Sequence, residues 1–175
     1  MHFMKRKDIE EKAKNILMDH SLMDIPVDPL SVAKALNIKV MNAKFAEPDK
    51  SGAVTKRNKI GSIFVNHEDS STRKRFTIAH ELGHLVMHMN DNEDGEYIDN
   101  IDNFRSTVND TAWSEDKRKE WEANLFAAAL LMHEDLVRRE WKRTKDLSQL
   151  AWRFQVSESA MAIRLSSLGI TEEYI

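Results

Sequence analysis

Hydrophobic and polar positions divide the chain into helical runs at both ends and short extended runs between them. Over 8–20, Ile9, Ala13, Ile16 and Leu17 recur at helical spacing. Asp28-Pro29 is a start signal, an N-cap followed by proline at the first helical position. Leu30, Val32, Ala33 and Leu36 then form a short amphipathic helix that stops near Asn37. Residues 38–41 read as a strand, and 52–55 and 60–65 as two more, joined through Lys56-Arg57-Asn58-Lys59 as a hairpin. The pattern predicts a small antiparallel sheet that runs straight into a helix. That helix has Phe76, Ala79, Leu82, Gly83 and Val86 on its small or apolar face, and Asp69, Ser70 and Ser71 as N-cap candidates.

The second half reads differently. Residues 90–102 are acidic and loop-like, with Asp91, Glu93, Asp94, Glu96, Asp99 and Asp102 and no Lys or Arg. A solvated linker is the plainer reading, and a rim attracting a basic substrate the functional one. Residues 114–119 are charged and begin a helix. From Ala123 onward that helix is apolar on nearly every face, which marks it as buried. Residues 146–154 form a further helix capped by Asp146, and Ser157 caps another that runs to Leu168 with Gly169 as its stop. The spacing of this last pair is that of a helix-turn-helix.

A chain of 175 residues is one domain of ordinary size, or one domain with a small appendage, and buries a proper core without crosslinks. With no cysteine, disulfides and thiolate metal sites are excluded. A formal charge of −3 favours neither general nucleic-acid affinity nor a membrane surface. The N-terminal Met1-His2-Phe3-Met4-Lys5-Arg6-Lys7 is basic but lacks an apolar stretch behind it, and no run approaches membrane-spanning length. An intracellular, soluble, cytoplasmic protein is expected.

The chemistry is concentrated in Arg75-Phe76-Thr77-Ile78-Ala79-His80-Glu81-Leu82-Gly83-His84-Leu85-Val86-Met87-His88, which contains the pattern H-E-x-x-H. Residues four apart lie one above the other on a helix, so His80 and His84 aim their rings at one point. A zinc ion takes neutral imidazoles at about 2.0–2.1 Å, and one helical turn supplies two. Glu81 stands about 100° round from His80, beside the metal and placed to take a proton from zinc-bound water. His88 lies a turn further on and drifts off the ligand face. Gly83 costs about 1 kcal/mol against alanine inside a helix, which points to close packing or an open approach to the site.

Two histidines do not complete a catalytic zinc site, which usually has three protein ligands and an open position. Glu120 and Asn124 share a face of the buried helix, so one could bind metal while the other hydrogen-bonds a ligand histidine. Helix geometry favours Glu120 as the third ligand and leaves Glu122 open. Both glutamates could instead stabilise a helix N-terminus. Tyr97 and His133 are the candidates for an additional oxyanion donor. A strand beside the site could hold an extended peptide by edge pairing.

The stretch 75–84 resembles the metal helix of the ImmA/IrrE-type zinc metallopeptidases, and Glu120-Trp121-Glu122-Ala123-Asn124-Leu125-Phe126-Ala127-Ala128-Ala129-Leu130-Leu131-Met132 is similar to that family's second signature. The likeness extends to Leu150-Ala151, Phe154, Val156-Ser157, Ala160 and Arg164-Leu165. His133 departs from the proline that usually follows Leu-Leu-Met. The resemblance implies a gluzincin-like site in which His80, His84 and Glu120 hold Zn2+ and Glu81 is the catalytic residue. It implies an α+β, minimal zincin-like fold, with a metallopeptidase domain over 1–133 and a helical helix-turn-helix-like module over 134–175 packed on it. The implied function is cleavage of a helix-turn-helix transcriptional repressor, which relieves repression.

Direct DNA binding is not expected. The would-be recognition helix has one arginine, Arg164, and base readout needs more donors and positive charge. Arg138, Arg139, Lys142, Arg143, Lys145 and Arg153 read as a solvated helix face. The rival readings are a DNA-binding regulator with a structural zinc site and an interaction module that holds a repressor without cutting it. A structural site would be closed by a fourth protein ligand, and no cysteine is available to close it.

Overall fold

A computed structural model describes residues 4–47, 50–89, 95–98 and 114–170, the last group but one by its backbone only. Two helices, α1 (Arg6–Asp19) and α2 (Pro29–Ala35), precede the sheet. Ile9, Ala13 and Leu17 are the buried face of α1. Asp28 caps α2, accepting from the Leu30 and Ser31 amides, with Pro29 at the first helical position.

The strands are β1 (Lys39–Ala43), β2 (Gly52–Arg57), β3 (Ile60–Asn66) and β4 (Gly95–Ile98), in the spatial order β1-β3-β2-β4. β4 lies within the acidic segment expected to be loop, and pairs with β2 so that Val54 faces Tyr97. The expected antiparallel sheet is in fact mixed. β2 and β3 form an antiparallel hairpin, but β1 runs parallel to β3, with Val40 opposite Ile63. β2 folds back on one side of β3, which leaves the other side to β1.

The hairpin turn is tighter than its four polar residues suggest. Arg57 pairs with Ile60, leaving Asn58 and Lys59 as the two turn residues, with φ of 50° and 66°. Two left-handed residues match the twist of the flanking strands.

Helix α3 (Ser71–Met87) follows β3 directly, capped by the Ser70 hydroxyl on the Arg73 amide. Helix α4 (Glu115–Leu131), capped by Ser114 and with Glu115 and Asp116 in its first turn, packs against both α3 and α1. Three helices complete the described residues: α5 (Glu134–Thr144), α6 (Leu147–Phe154) and α7 (Glu158–Ser167), capped by His133, Asp146 and Ser157. The core is one cluster that runs from Ile9 and Leu17 through Ile63, Leu82 and Phe126 to Phe154 and Leu165.

Two arginines tie the last helices to the rest. Arg75 of α3 donates to the carbonyls of Val27 (2.6 Å), Gln155 (3.3 Å) and Phe154 (3.4 Å). Arg164 of α7, only 2% exposed, donates to the Met132 carbonyl at 2.9 Å and grips both oxygens of Glu10 on α1. Among the described residues no helix is long and apolar enough to cross a membrane.

Candidate metal centre

The site forms where α3 crosses α4. A Cβ added at Gly83 would sit 3.1 Å from the Ala123 Cα and 3.3 Å from its carbonyl oxygen, so the two backbones touch. Close packing is therefore the reason for this glycine. Three residues before Gly83 is His80, one after it is His84, and three before Ala123 is Glu120. All three side chains are buried, at 4%, 0% and 8% exposure.

Their donor atoms converge. The Nε2 atoms of His80 and His84 are 3.0 Å apart, and each lies 3.3 Å from an oxygen of Glu120. Ligands at 2.0–2.1 Å from a tetrahedral zinc stand about 3.3–3.4 Å from one another. These three residues offer one donor each within 4.8 Å of one another and could hold a metal ion. The protonation states suit the task. Burial pushes the His84 imidazole down to about 4, despite the opposing pull of Glu120, so it is neutral at neutral pH. Burial pushes the Glu120 carboxyl up, but its hydrogen bonds to His80 and His84 outweigh this and hold it below the usual carboxylate range. A neutral His84 imidazole and an ionised Glu120 are the forms in which these groups bind a divalent cation.

Each histidine is held by its second nitrogen. His80 Nδ1 donates to Asn124 Oδ1 at 2.8 Å, so Asn124 takes the hydrogen-bonding role that its spacing from Glu120 suggested. His84 Nδ1 lies 3.2 Å from His88 Nδ1, and His88 Nε2 lies 2.8 Å from Glu122 Oε2. Glu122 thus faces His88 rather than joining the triad. The sequence placed His88 off the ligand face and did not reveal its contact with His84.

Glu81 is fully buried at the centre of α3. A Cβ on Gly52, the first residue of β2, would come within 2.6 Å of Glu81 Oε1 and 2.4 Å of Thr77 Cγ2. The strand therefore passes against the carboxylate, and a side chain at this position would have to push Thr77 and Glu81 aside. Sequence reasoning missed Gly52; its one signal was a glycine opening a strand. His133 sits at the α4–α5 junction, where its Nδ1 accepts from the Asp135 amide at 3.3 Å and its charged neighbours are Asp135, Lys14, Glu10 and Arg164. It caps a helix where the family usually has proline. The Tyr97 side chain lies outside the described residues, as does most of the acidic stretch around it.

Two crossing helices that bring His-His-Glu to one point beneath a small mixed sheet define a metallopeptidase-type domain. Comparison with known families agrees: residues 33–166 match Peptidase M78, the IrrE N-terminal-like domain, and the chain belongs to that family. No curated protein matches the chain. Among solved structures it is similar in fold to a Mycobacterium tuberculosis transcriptional regulator, at 19% identity and a TM-score of 0.64. The match covers 91% of this chain and 46% of that one, so this chain spans less than half the length of its structural relative.

Proposed function

We propose that the protein is a zinc-dependent endopeptidase that cleaves a helix-turn-helix transcriptional repressor, with His80, His84 and Glu120 as zinc ligands and Glu81 as the catalytic base. The observation that carries the peptidase reading is the spacing of the three donors, 3.0, 3.3 and 3.3 Å, in a buried cluster. Zinc bound there would supply a Lewis acid that lowers the pKa of a water and polarises the scissile carbonyl. Glu81 accepts the proton of the attacking water and passes it to the leaving amine. His84 stays neutral, both rings are held through Asn124 and His88, and Glu120 contributes the negative charge that would partly offset the cation.

The repressor as substrate rests on the family likeness of the two signature stretches. Protein rather than DNA as the partner has further support in the C-terminal helices. Arg164, the one cation of α7, is turned inward on Glu10. On the neighbouring basic run, Arg138 pairs with Glu134, and Arg139, Arg143 and Arg153 all pair with the buried Glu140. We read residues 134–175 as a helix-turn-helix-like module that serves structure or substrate docking, and the protein as cytoplasmic.

The test is metal content by mass spectrometry on wild type, His84→Ala and Glu120→Ala, then cleavage of a purified helix-turn-helix repressor by wild type and Glu81→Gln. About one zinc per chain, lost or weakened in both ligand variants, is expected, with Glu81→Gln keeping zinc and losing cleavage. A wild type that takes up no zinc at neutral pH overturns the peptidase reading. Cleavage by Glu81→Gln at the wild-type rate removes Glu81 from its role.

A further inference from the structure

We infer that His88 and Glu122 are positioning residues of the metal centre, a relay that fixes the ring of His84 with Nε2 toward the metal and anchors it to the main chain at Met4. The inference rests on the zinc-site reading above, and adds two residues that bind no metal themselves.

The geometry runs in one direction. Glu122 accepts twice: Oε1 takes the Met4 amide hydrogen at 3.0 Å, and Oε2 lies 2.8 Å from His88 Nε2. A carboxylate that receives a backbone N–H on one oxygen is placed to receive on the other as well, so His88 Nε2 carries the hydrogen and donates it. In a neutral His88 ring the remaining nitrogen, Nδ1, is then a lone pair. It lies 3.2 Å from His84 Nδ1, which must be the donor in that contact. His84 is left with its lone pair on Nε2, the atom 3.3 Å from Glu120. With His88 neutral and Glu122 ionised, the reverse order would set two lone pairs against each other between them; the lone pairs that His80 Nε2, His84 Nε2 and Glu120 turn toward one another are those a cation would take.

The arrangement also orients the ring. The side chains of His84, His88 and Glu122 are 0%, 7% and 8% exposed, so water cannot readily replace a lost partner. His80 uses a shorter device, one hydrogen bond to the neutral amide of Asn124. The two ligands therefore differ: Asn124 of the facing helix meets His80, whereas His84 is set through a carboxylate that holds the chain ahead of α1. Outer partners of this kind are typically worth 10–100-fold in metal affinity.

The experiment measures zinc affinity by chelator competition and reads the His84 tautomer of the metal-free protein from long-range 15N–1H spectra. The variants are wild type, His88→Leu, His88→Asn, Glu122→Gln and His84→Ala. His88→Leu is expected to weaken zinc about 10–100-fold and to leave His84 in mixed tautomers. His88→Asn offers an oxygen near the Nδ1 position and restores both readings toward wild type. The isosteric Glu122→Gln carries the test if His88→Leu does not fold, and shifts both in the same direction by less. Unchanged affinity and tautomer in the folded His88 and Glu122 variants, with zinc lost in His84→Ala, overturn this inference and leave the zinc site standing. Zinc retained by His84→Ala overturns the site itself, and the relay with it.

Discussion

The Cα of Ala123 lies 3.1 Å from where a side chain on Gly83 would begin. A side chain at Gly83 would push α3 and α4 apart by a few tenths of an ångström, and their approach sets the donor spacing, because His80, His84 and Glu120 all stand within one turn of the contact.

Gly83→Ala is therefore expected to weaken zinc binding and destabilise the fold together. Alanine gains about 1 kcal/mol of helix propensity, while forcing a methyl into a packed core costs about 1–3 kcal/mol. The obstructing atoms are the Ala123 Cα and carbonyl oxygen and the Phe126 Cβ, none of them the free end of a flexible side chain, so the cost wins. Urea unfolding of the metal-free protein and chelator competition for zinc check the two effects. A variant with wild-type zinc affinity would show that the helix crossing does not set the donor spacing.

Gly52→Ala is expected to separate catalysis from metal binding. Its new methyl meets Thr77 Cγ2 and Glu81 Oε1, the ends of side chains rather than backbone, so Glu81 rotates and the triad remains. Displacing a catalytic group by about 1 Å can cost about 100-fold. Zinc stoichiometry should stay at one while kcat falls about 10–100-fold. Steady-state cleavage and metal analysis on the same preparation decide it.

Much of this site is legible in the sequence because it is local. The four-residue spacing of His80 and His84, and of Glu120 and Asn124, follows from helix geometry alone. So do the caps at Asp28, Asp146 and Ser157, and at Ser70 among its three candidates, since each needs only the amides two or three residues on. What failed is non-local. A strand pattern does not encode the direction of its partner, so the parallel pairing of Lys39–Ala43 with β3 was not readable. Gly52 against Glu81 joins a strand to a helix 29 residues on (81 − 52), and no periodicity signals such a contact. His88 could be placed only off the ligand face, and Glu122 stayed open as a third ligand, because the role of each shows only beside the other.

Arg164 and Glu10 give a stability test. The arginine is 2% exposed and bidentate on Glu10, which is half-buried and also lies 3.8 Å from Arg6 Nε. Removing one partner of a fully buried pair leaves a charge uncompensated and costs about 3–5 kcal/mol. Glu10 is partly exposed and keeps Arg6 beside it, so Arg164→Leu should lose somewhat less than that in chemical denaturation. Adding Glu10→Leu should recover part of it, since two apolar residues leave no lone charge there, although the Met132 carbonyl still lacks its donor. If the double variant were no more stable than the single one, the Glu10 charge would not be the source of the cost.

The pH dependence of the metal-free protein follows from His84. Unfolded, a histidine titrates near 6.5; folded, burial holds this one down to about 4. Above pH 6.5 the ring is neutral in both states and contributes no slope. As pH falls below 6.5, the unfolded chain binds a proton that the folded one refuses, so stability drops by up to about 1.4 kcal/mol per pH unit from this group. The loss levels off near pH 4, where the folded ring protonates too. Glu120 acts in the same sense at lower pH: its folded carboxyl is held below the usual range, so the stability it contributes is lost as acid protonates it. Urea midpoints between pH 8 and 4 should show the decline starting below about 6.5, with a shallower slope in His84→Leu. Saturating zinc should raise stability across the range, since ligand bound only to the folded state stabilises it by mass action. An identical slope in wild type and His84→Leu would mean that His84 is not the group burial holds neutral.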